Sequence, residues 1–129
     1  MGATAYLEGK LLLTLAGTAF SVPVVYAQLH TGDPGLVGTG NVASTSTRVA
    51  VAGWALTQPV ETSTDLPSYL SKTGALQWLD LATGETFTHV TLWDASTGGN
   101  CLWVVPLDAP IVREAGDDLK LVTLALSLD

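Results

Sequence analysis

One cysteine, one methionine, two histidines and two phenylalanines among 129 residues leave little material for site chemistry. The lone Cys101 forbids an intrachain disulfide and reads as a small buried apolar residue rather than a reactive thiol. No CxxC, HxH or HExxH pattern accompanies it, so the three or four ligands of a metal centre are not in place. Basic residues number only five against twelve acidic ones, a net charge of −7. Five scattered cations cannot build a phosphate-binding stripe, and a nucleic-acid partner is not expected. Charged residues make up just 13% of the chain, yet no apolar run reaches the roughly 18 residues that a spanning helix needs. A membrane partner is therefore not expected either.

The stretch 11–28, LLLTLAGTAFSVPVVYAQ, has some of the look of a secretory signal, with Val25-Tyr26-Ala27 at the cleavage position. Glu8 offsets Lys10, so the basic region such a signal requires is weak. Met1-Gly2 begins like a myristoylation site, but Tyr6 stands where Ser or Thr is wanted. The expectation is neither leader nor lipid anchor.

What is present is apolar and β-prone. Hydrophobic residues reach 47%, which for so few charges implies that neighbouring chains cover part of the apolar surface. The acidic balance keeps such a chain soluble before it assembles. The organising stretch is Phe87–Leu107, where two β-branched and aromatic runs flank Asp94-Ala95-Ser96-Thr97-Gly98-Gly99-Asn100. That is the grammar of a β-hairpin with a longer loop, and its two tryptophans seed the core. In its second arm Leu102 and Val104 oppose Cys101, Trp103 and Val105, which turns Trp103 outward if the first pair faces in.

Residues 3–16 read as an amphipathic helix, with Leu7, Leu11 and Leu15 on one face, Leu12 widening it and Gly17 as the stop. Such a helix either caps the open end of a sandwich or docks on another subunit. Strands are expected at Val24–Leu29, Arg48–Leu56, Ala75–Leu81, Ile111–Glu114 and Leu119–Leu128, besides the two hairpin arms, with Asp108-Ala109-Pro110 closing the hairpin. His30-Thr31-Gly32-Asp33-Pro34-Gly35 is a tight turn, Leu36–Thr47 an exposed loop and Thr57–Thr73 a surface connection. The fold class that results is mainly β: an antiparallel β-sandwich or jelly-roll-like domain over 23–129 with one N-terminal helix, a single domain spanning 1–129.

No catalytic, metal or cofactor site emerges. His30 and His89 each have an aspartate nearby, Asp33 and Asp94, but these pairs read as hydrogen-bonded structure: His30 within its Asp-Pro turn, His89 satisfied on a strand face. Ser96 lacks the GxSxG elbow, and Gly38-Thr39-Gly40 lacks the third glycine and lysine of a phosphate loop. Asp117-Asp118 is a solvated turn rather than a calcium site. Trp54, Trp78, Trp93 and Trp103 could form a carbohydrate platform, but their spread over separate strands favours core or interface positions.

Two passages resemble a known family. Val25-Tyr26-Ala27-Gln28-Leu29-His30-Thr31-Gly32-Asp33-Pro34-Gly35 followed by Gly38-Thr39-Gly40-Asn41, and Thr88-His89-Val90-Thr91-Leu92-Trp93-Asp94-Ala95-Ser96-Thr97-Gly98-Gly99-Asn100, are similar in content and order to signatures of small tailed-bacteriophage virion proteins of the tail fibre or minor tail type. The leucine-rich N-terminal helix and the Gly116-Asp117-Asp118 turn fit the same pattern. Thr45-Ser46-Thr47-Arg48 departs from it, keeping the arginine where the family often has Ser-Tyr-Ala-Arg but losing the aromatic. The resemblance implies a non-enzymatic structural protein of the virion, assembled in the host cytoplasm as a homo-oligomer beside other virion proteins. A minor tail or tail fibre position is the first expectation. Capsid decoration is the alternative, and a carbohydrate-binding host-attachment module a further one. The residues expected to matter are Leu7, Leu11, Leu15 and Trp103 as subunit contacts. The turn motif, in which Asp33 accepts backbone N–H bonds, consists of His30, Asp33, Pro34 and Gly35. His89, Trp93, Asp94, Gly98 and Gly99 form the hairpin lock, with His89 and Asp94 flanking Trp93.

Overall fold

Thr4 begins the first element. Its extended backbone (φ −75°, ψ 161°) and its Oγ1, which accepts from the Leu7 N–H, cap helix α1, Ala5–Leu15. The helix ends in a Schellman motif: Gly17, at φ +102°, donates to Thr14 O and Thr18 donates to Leu13 O at 2.9 Å. The computed structural model describes residues 2–45, 47–57, 69–72, 76–121 and 124–127.

The leucine stripe does not cap a sandwich. No residue of α1 is buried, and Leu12 and Leu15 are 68% and 87% exposed. What ties the helix down is the extended segment before it. Ala3 stands opposite Trp103 as an antiparallel bridge, with Val104 N–H donating to Gly2 O and Thr4 N–H to Leu102 O, both at 2.9 Å.

The main sheet has four antiparallel strands in the order β2-β1-β6-β7: β1 Val25–His30, β2 Val49–Val51, β6 Glu85–Trp93 and β7 Cys101–Arg113. The β6–β7 hairpin lies where its alternation placed it. It does not stop at Asp108-Ala109-Pro110, however. Strand β7 runs on through Pro106 and Pro110 to pair Phe87 with Ile111 and Glu85 with Arg113, so the separate strand expected at Ile111–Glu114 is its continuation. Residues 107–110 bulge opposite Thr88, which absorbs Pro110, while Pro106 stays in register opposite His89.

A second bulge decides the orientation of Trp103. Leu92 pairs with Trp103 but Trp93 with Cys101, leaving Leu102 without an opposite number. The alternation is thereby reset. Trp103 and Val105 pack against the main core, while Cys101 and Val104 share the other face with Trp93 and Tyr26. The outward Trp103 expected from simple alternation is a half-buried one.

Among the described residues two smaller sheets follow: β3 Trp54–Thr57, β4 Tyr69–Lys72 and β9 Ala125–Ser127 in the order β3-β4-β9, and β5 Leu76–Trp78 paired with β8 Leu119–Leu121. Three expectations are corrected here. The run Arg48–Leu56 is broken at Gly53, whose φ of +77° no strand tolerates, and its halves join different sheets. Leu119–Leu128 divides likewise into β8 and β9. The supposed connection Thr57–Thr73 contains β4, while residues 58–68 and 73 lie outside the described residues. The architecture is a mainly β, antiparallel sandwich with an N-terminal helix. Its core joins Ala27, Leu29, Val51, Phe87, Val90 and Leu92 of the main sheet to Leu76, Trp78 and Leu119 of the β5–β8 pair, with Leu81 and Leu124. Each large apolar side chain buried there contributes about 1.5–3 kcal/mol. The one polar atom of Trp78 is satisfied, donating from Nε1 to Thr47 O at 3.2 Å.

Candidate functional site

The second face of the main sheet carries both sequence signatures. His30 closes β1 and is fully buried, 0% exposed. Its Nδ1 lies 2.7 Å from Gly40 O, and a carbonyl can only accept, so Nδ1 carries the proton. Nε2 of the neutral ring is then an acceptor, and it receives the hydroxyl proton of Thr91 at 2.7 Å. Thr91 Oγ1 in turn accepts from Trp93 Nε1, also at 2.7 Å. A single polar chain therefore runs Trp93 to Thr91 to His30 to Gly40, with every ring nitrogen satisfied. Burial is the largest influence on His30 and pushes its pKa below the usual 6.5. The Gly40 bond acts in the opposite direction, and the His89 and Arg48 charges add to the lowering. His30 thus reaches across to the far end of its loop and to β6, rather than bonding only within the Asp-Pro turn.

That loop, residues 31–43, folds over the sheet. Asp33 Oδ1 accepts the Gly35 N–H at 2.9 Å, an Asx turn, and Asn41 Nδ2 donates to Asp33 O at 2.8 Å. Gly40 N–H donates to Pro34 O, and Pro34 is buried. Gly38, at φ +75°, sits so close to Cys101 that a β-carbon there would overlap Sγ. The Cys101 thiol is buried, and that burial pushes its pKa up to about 11, well out of the reactive range. By contrast the loop tip is open: Leu36 is 88% and Val37 67% exposed.

The hairpin loop is locked from two sides. Asp94 Oδ1 accepts from Asn100 N at 2.7 Å and Oδ2 from Asn100 Nδ2 at 3.2 Å, while Gly99, at φ +74°, leaves the room these bonds require. From β2's flank, the Arg48 guanidinium carbon lies 4.0 Å above the Trp93 ring, and Nη1 donates to Ala95 O at 2.8 Å and Gly98 O at 2.7 Å. His89 does not take part as sequence reasoning had it. It stands opposite His30 on β6, its Nδ1 2.8 Å from Thr88 Oγ1.

Apart from Trp103 against the main core and His89 on β6, the residues singled out from the sequence fall into two groups. His30, Asp33, Pro34, Gly35, Trp93, Asp94, Gly98 and Gly99 gather on one face of the sheet and its loops. Leu7, Leu11 and Leu15 lie apart on α1, with Leu7 half-buried and the other two exposed. Thr4 is not singled out by the sequence, and Gly38, Asn41, Arg48, Thr91 and Asn100 stand within or beside the family-like passages without an individual role there. Asn41 and Asn100 could have been found as turn residues spaced like Asx partners. The family-like arginine at Arg48 is visible in the sequence, but its acceptors, 47 and 50 residues away, are not.

The histidine is enclosed, the thiol is protonated, and among the described residues no three His, Cys, Asp or Glu side chains could share a metal ion. The four tryptophans form no platform, since Trp78 and Trp93 are buried and Trp54 and Trp103 lie half-buried against the core. Among the described residues no helix is long and apolar enough to cross a membrane. A cleft of about 470 Å³ separates the N-terminal segment from the loop tip, lined by Ala3, Ala5, Glu8, Leu36, Val37 and Val104 among others. No curated protein matches the chain. The sequence model of one phage fibre-type structural family, described as podophage GP4 fiber I protein gp80, matches residues 2–129, and the chain belongs to that family.

Proposed function

We propose that this protein is a non-enzymatic subunit of the phage tail fibre, acting in particle assembly through protein–protein contacts and self-associating there as a homo-oligomer. The observation that carries the reading is the unspent apolar surface of the N-terminal half. Leu12, Leu15, Leu36 and Val37 are each more than three-fifths exposed, on a chain with 47% hydrophobic and 13% charged residues. Such surface is costly in water at about 25 cal/mol per Å² and is ordinarily covered by a partner. The family supports the virion as the setting, and the hydrogen-bonded turns at Asp33 and Asp94 on the sheet support a role as scaffold. Leu7, Leu11 and Leu15 are the side chains we assign to the subunit contact. Many copies in one particle let modest contacts add.

The test is a Leu12→Asp/Leu15→Asp variant, which changes only exposed positions. Its circular dichroism should match the parent, while sedimentation shows a smaller species and incorporation into particles falls. Unchanged sedimentation together with normal incorporation would overturn the reading. Electron cryomicroscopy of the particles supplies the location: density for the chain on the fibre supports the proposal, and density on the capsid shell replaces it with decoration of the head.

A further inference from the structure

The N-terminal arm, residues 2–15, behaves as one unit laid onto the body from outside. Thr4 joins its two parts, because the hydroxyl that accepts from the Leu7 N–H also donates to Cys101 O at 2.6 Å. Attachment to the body is a three-residue strand on the edge of β7, through Gly2 O, Thr4 N and the Ala3–Trp103 pair. The helix that follows adds no buried residue. Beyond it, residues 16–24 form a link that is mostly exposed and begins with Gly17 at positive φ. The one ring in that link, Phe20, packs edge-on against Tyr6 of the arm itself, centroids 6.4 Å apart. Arm and link thus touch through Tyr6 and Phe20, and among the described residues the hydrogen bonds from arm to body are those at the β7 slot.

We infer that the Gly2–Thr4 strand is exchanged between copies, each arm filling the β7 slot of a second copy of this chain. The slot's occupant is fixed by its present contents. An identical strand from a neighbour makes the same two backbone bonds, the same Thr4 bonds and the same contact with Trp103, so exchange sacrifices no contact at the slot. Residues 19–24, which follow the Schellman cap, reach about 20 Å toward an adjoining subunit when extended at roughly 3.3 Å each. Exchange also carries each α1, with its exposed Leu11, Leu12, Leu13 and Leu15, onto the neighbour, where two apolar helices from adjoining arms can cover each other. The inference rests on the self-association proposed above and specifies its geometry.

Ala3 and Trp103 form a non-hydrogen-bonded antiparallel pair, the arrangement in which opposite side chains come closest and which suits an engineered disulfide. In a Cys101→Ala background, full-length chains carrying either Ala3→Cys or Trp103→Cys are mixed and mildly oxidised. Linked heterodimers are expected as the main product on a non-reducing gel. Oligomers that form without that interchain link, while the doubly substituted chain closes on itself, would overturn the exchange and leave the assembly reading standing. Chains that stay monomeric in every case would remove both. Should Trp103→Cys fail to fold, link length gives an independent measurement by light scattering against the 13.4 kDa chain. A Gly-Ser insertion of about six residues after Thr18 should shift the mass toward the monomer, and deletion of residues 18–21 should shift it toward oligomers. A mass that responds to neither change overturns the exchange.

Discussion

His30 and Thr91 sit 61 residues apart in sequence and share a hydrogen bond of 2.7 Å, made where neither side chain touches water. The same threonine hydroxyl serves Trp93, so one small side chain satisfies two buried rings. Thr91→Val keeps the shape and removes both partnerships. Each orphaned buried group costs about 1–3 kcal/mol, and the variant should lose about 2–4 kcal/mol in urea denaturation. Thr91→Ser, which retains the hydroxyl, should lose less.

Stability should fall on mild acidification. His30 is held below its ordinary pKa of 6.5 by burial, so between that value and its folded-state pKa the unfolded chain binds a proton that the native one refuses. The contribution is complete above about pH 6.5 and is lost as pH drops through the folded value, at up to about 1.4 kcal/mol per pH unit. Glu85 acts at lower pH. Burial raises its pKa, but bonds from Ser44 and Thr83 outweigh that and hold it below 4.5, so its share is lost only in stronger acid. Denaturation midpoints measured from pH 7.5 to 5 should decline in the parent protein, and His30→Gln should flatten that upper limb.

Gly38 and Gly35 separate strain from collision. Both have positive φ, but a β-carbon meets Cys101 at Gly38 and open space at Gly35. Gly35→Ala should cost about 1 kcal/mol for the left-handed backbone alone, and Gly38→Ala a further 1–3 kcal/mol for overpacking. Cys101→Ala should recover part of that further loss, as a coupling in a double-mutant cycle.

Cys101 itself should resist alkylation. With its thiol buried and its pKa near 11, iodoacetamide at neutral pH should leave the native protein unmodified by mass spectrometry and label it fully once unfolded.

Arg48→Lys should not be a conservative change. Lysine keeps the charge but loses the flat guanidinium stacked on Trp93 and the planar Nη1 that donates to both Ala95 O and Gly98 O. A loss of about 1–2 kcal/mol is expected. A shift in tryptophan emission should accompany it, since Trp93 loses its cover.

What the sequence made legible was whatever is coded locally. The hairpin showed itself through period-two alternation around a glycine-rich reversal, the helix through leucine spacing, and the Asp33 turn through Asp-Pro-Gly. The failures have a common cause in bulges and breaks that alternation cannot register. Leu102 resets the faces of β7 and turns Trp103 inward, Gly53 divides one apparent strand between two sheets, and the bulge at 107–110 carries the strand past Asp108-Ala109-Pro110, which looks like its end. Of the two alternatives for the helix, capping the sandwich is excluded by its exposure and docking stays open, because amphipathic spacing reports a face that needs covering, not what covers it. The site's long-range partners, Arg48 with Ala95 and Thr91 with His30, depend on strand order, which no local pattern carries.

Proline placement in β7 bears on how such a protein tolerates crowding. The backbone alternation that turns the Val104 amide outward, toward Gly2, brings the nitrogen of Pro106 to the same margin two positions later, and that nitrogen has no hydrogen to offer. A foreign strand zipping along this margin would find its ladder ended almost at once. Packed densely on a particle, copies can trade a short clasp without fusing into an endless ribbon.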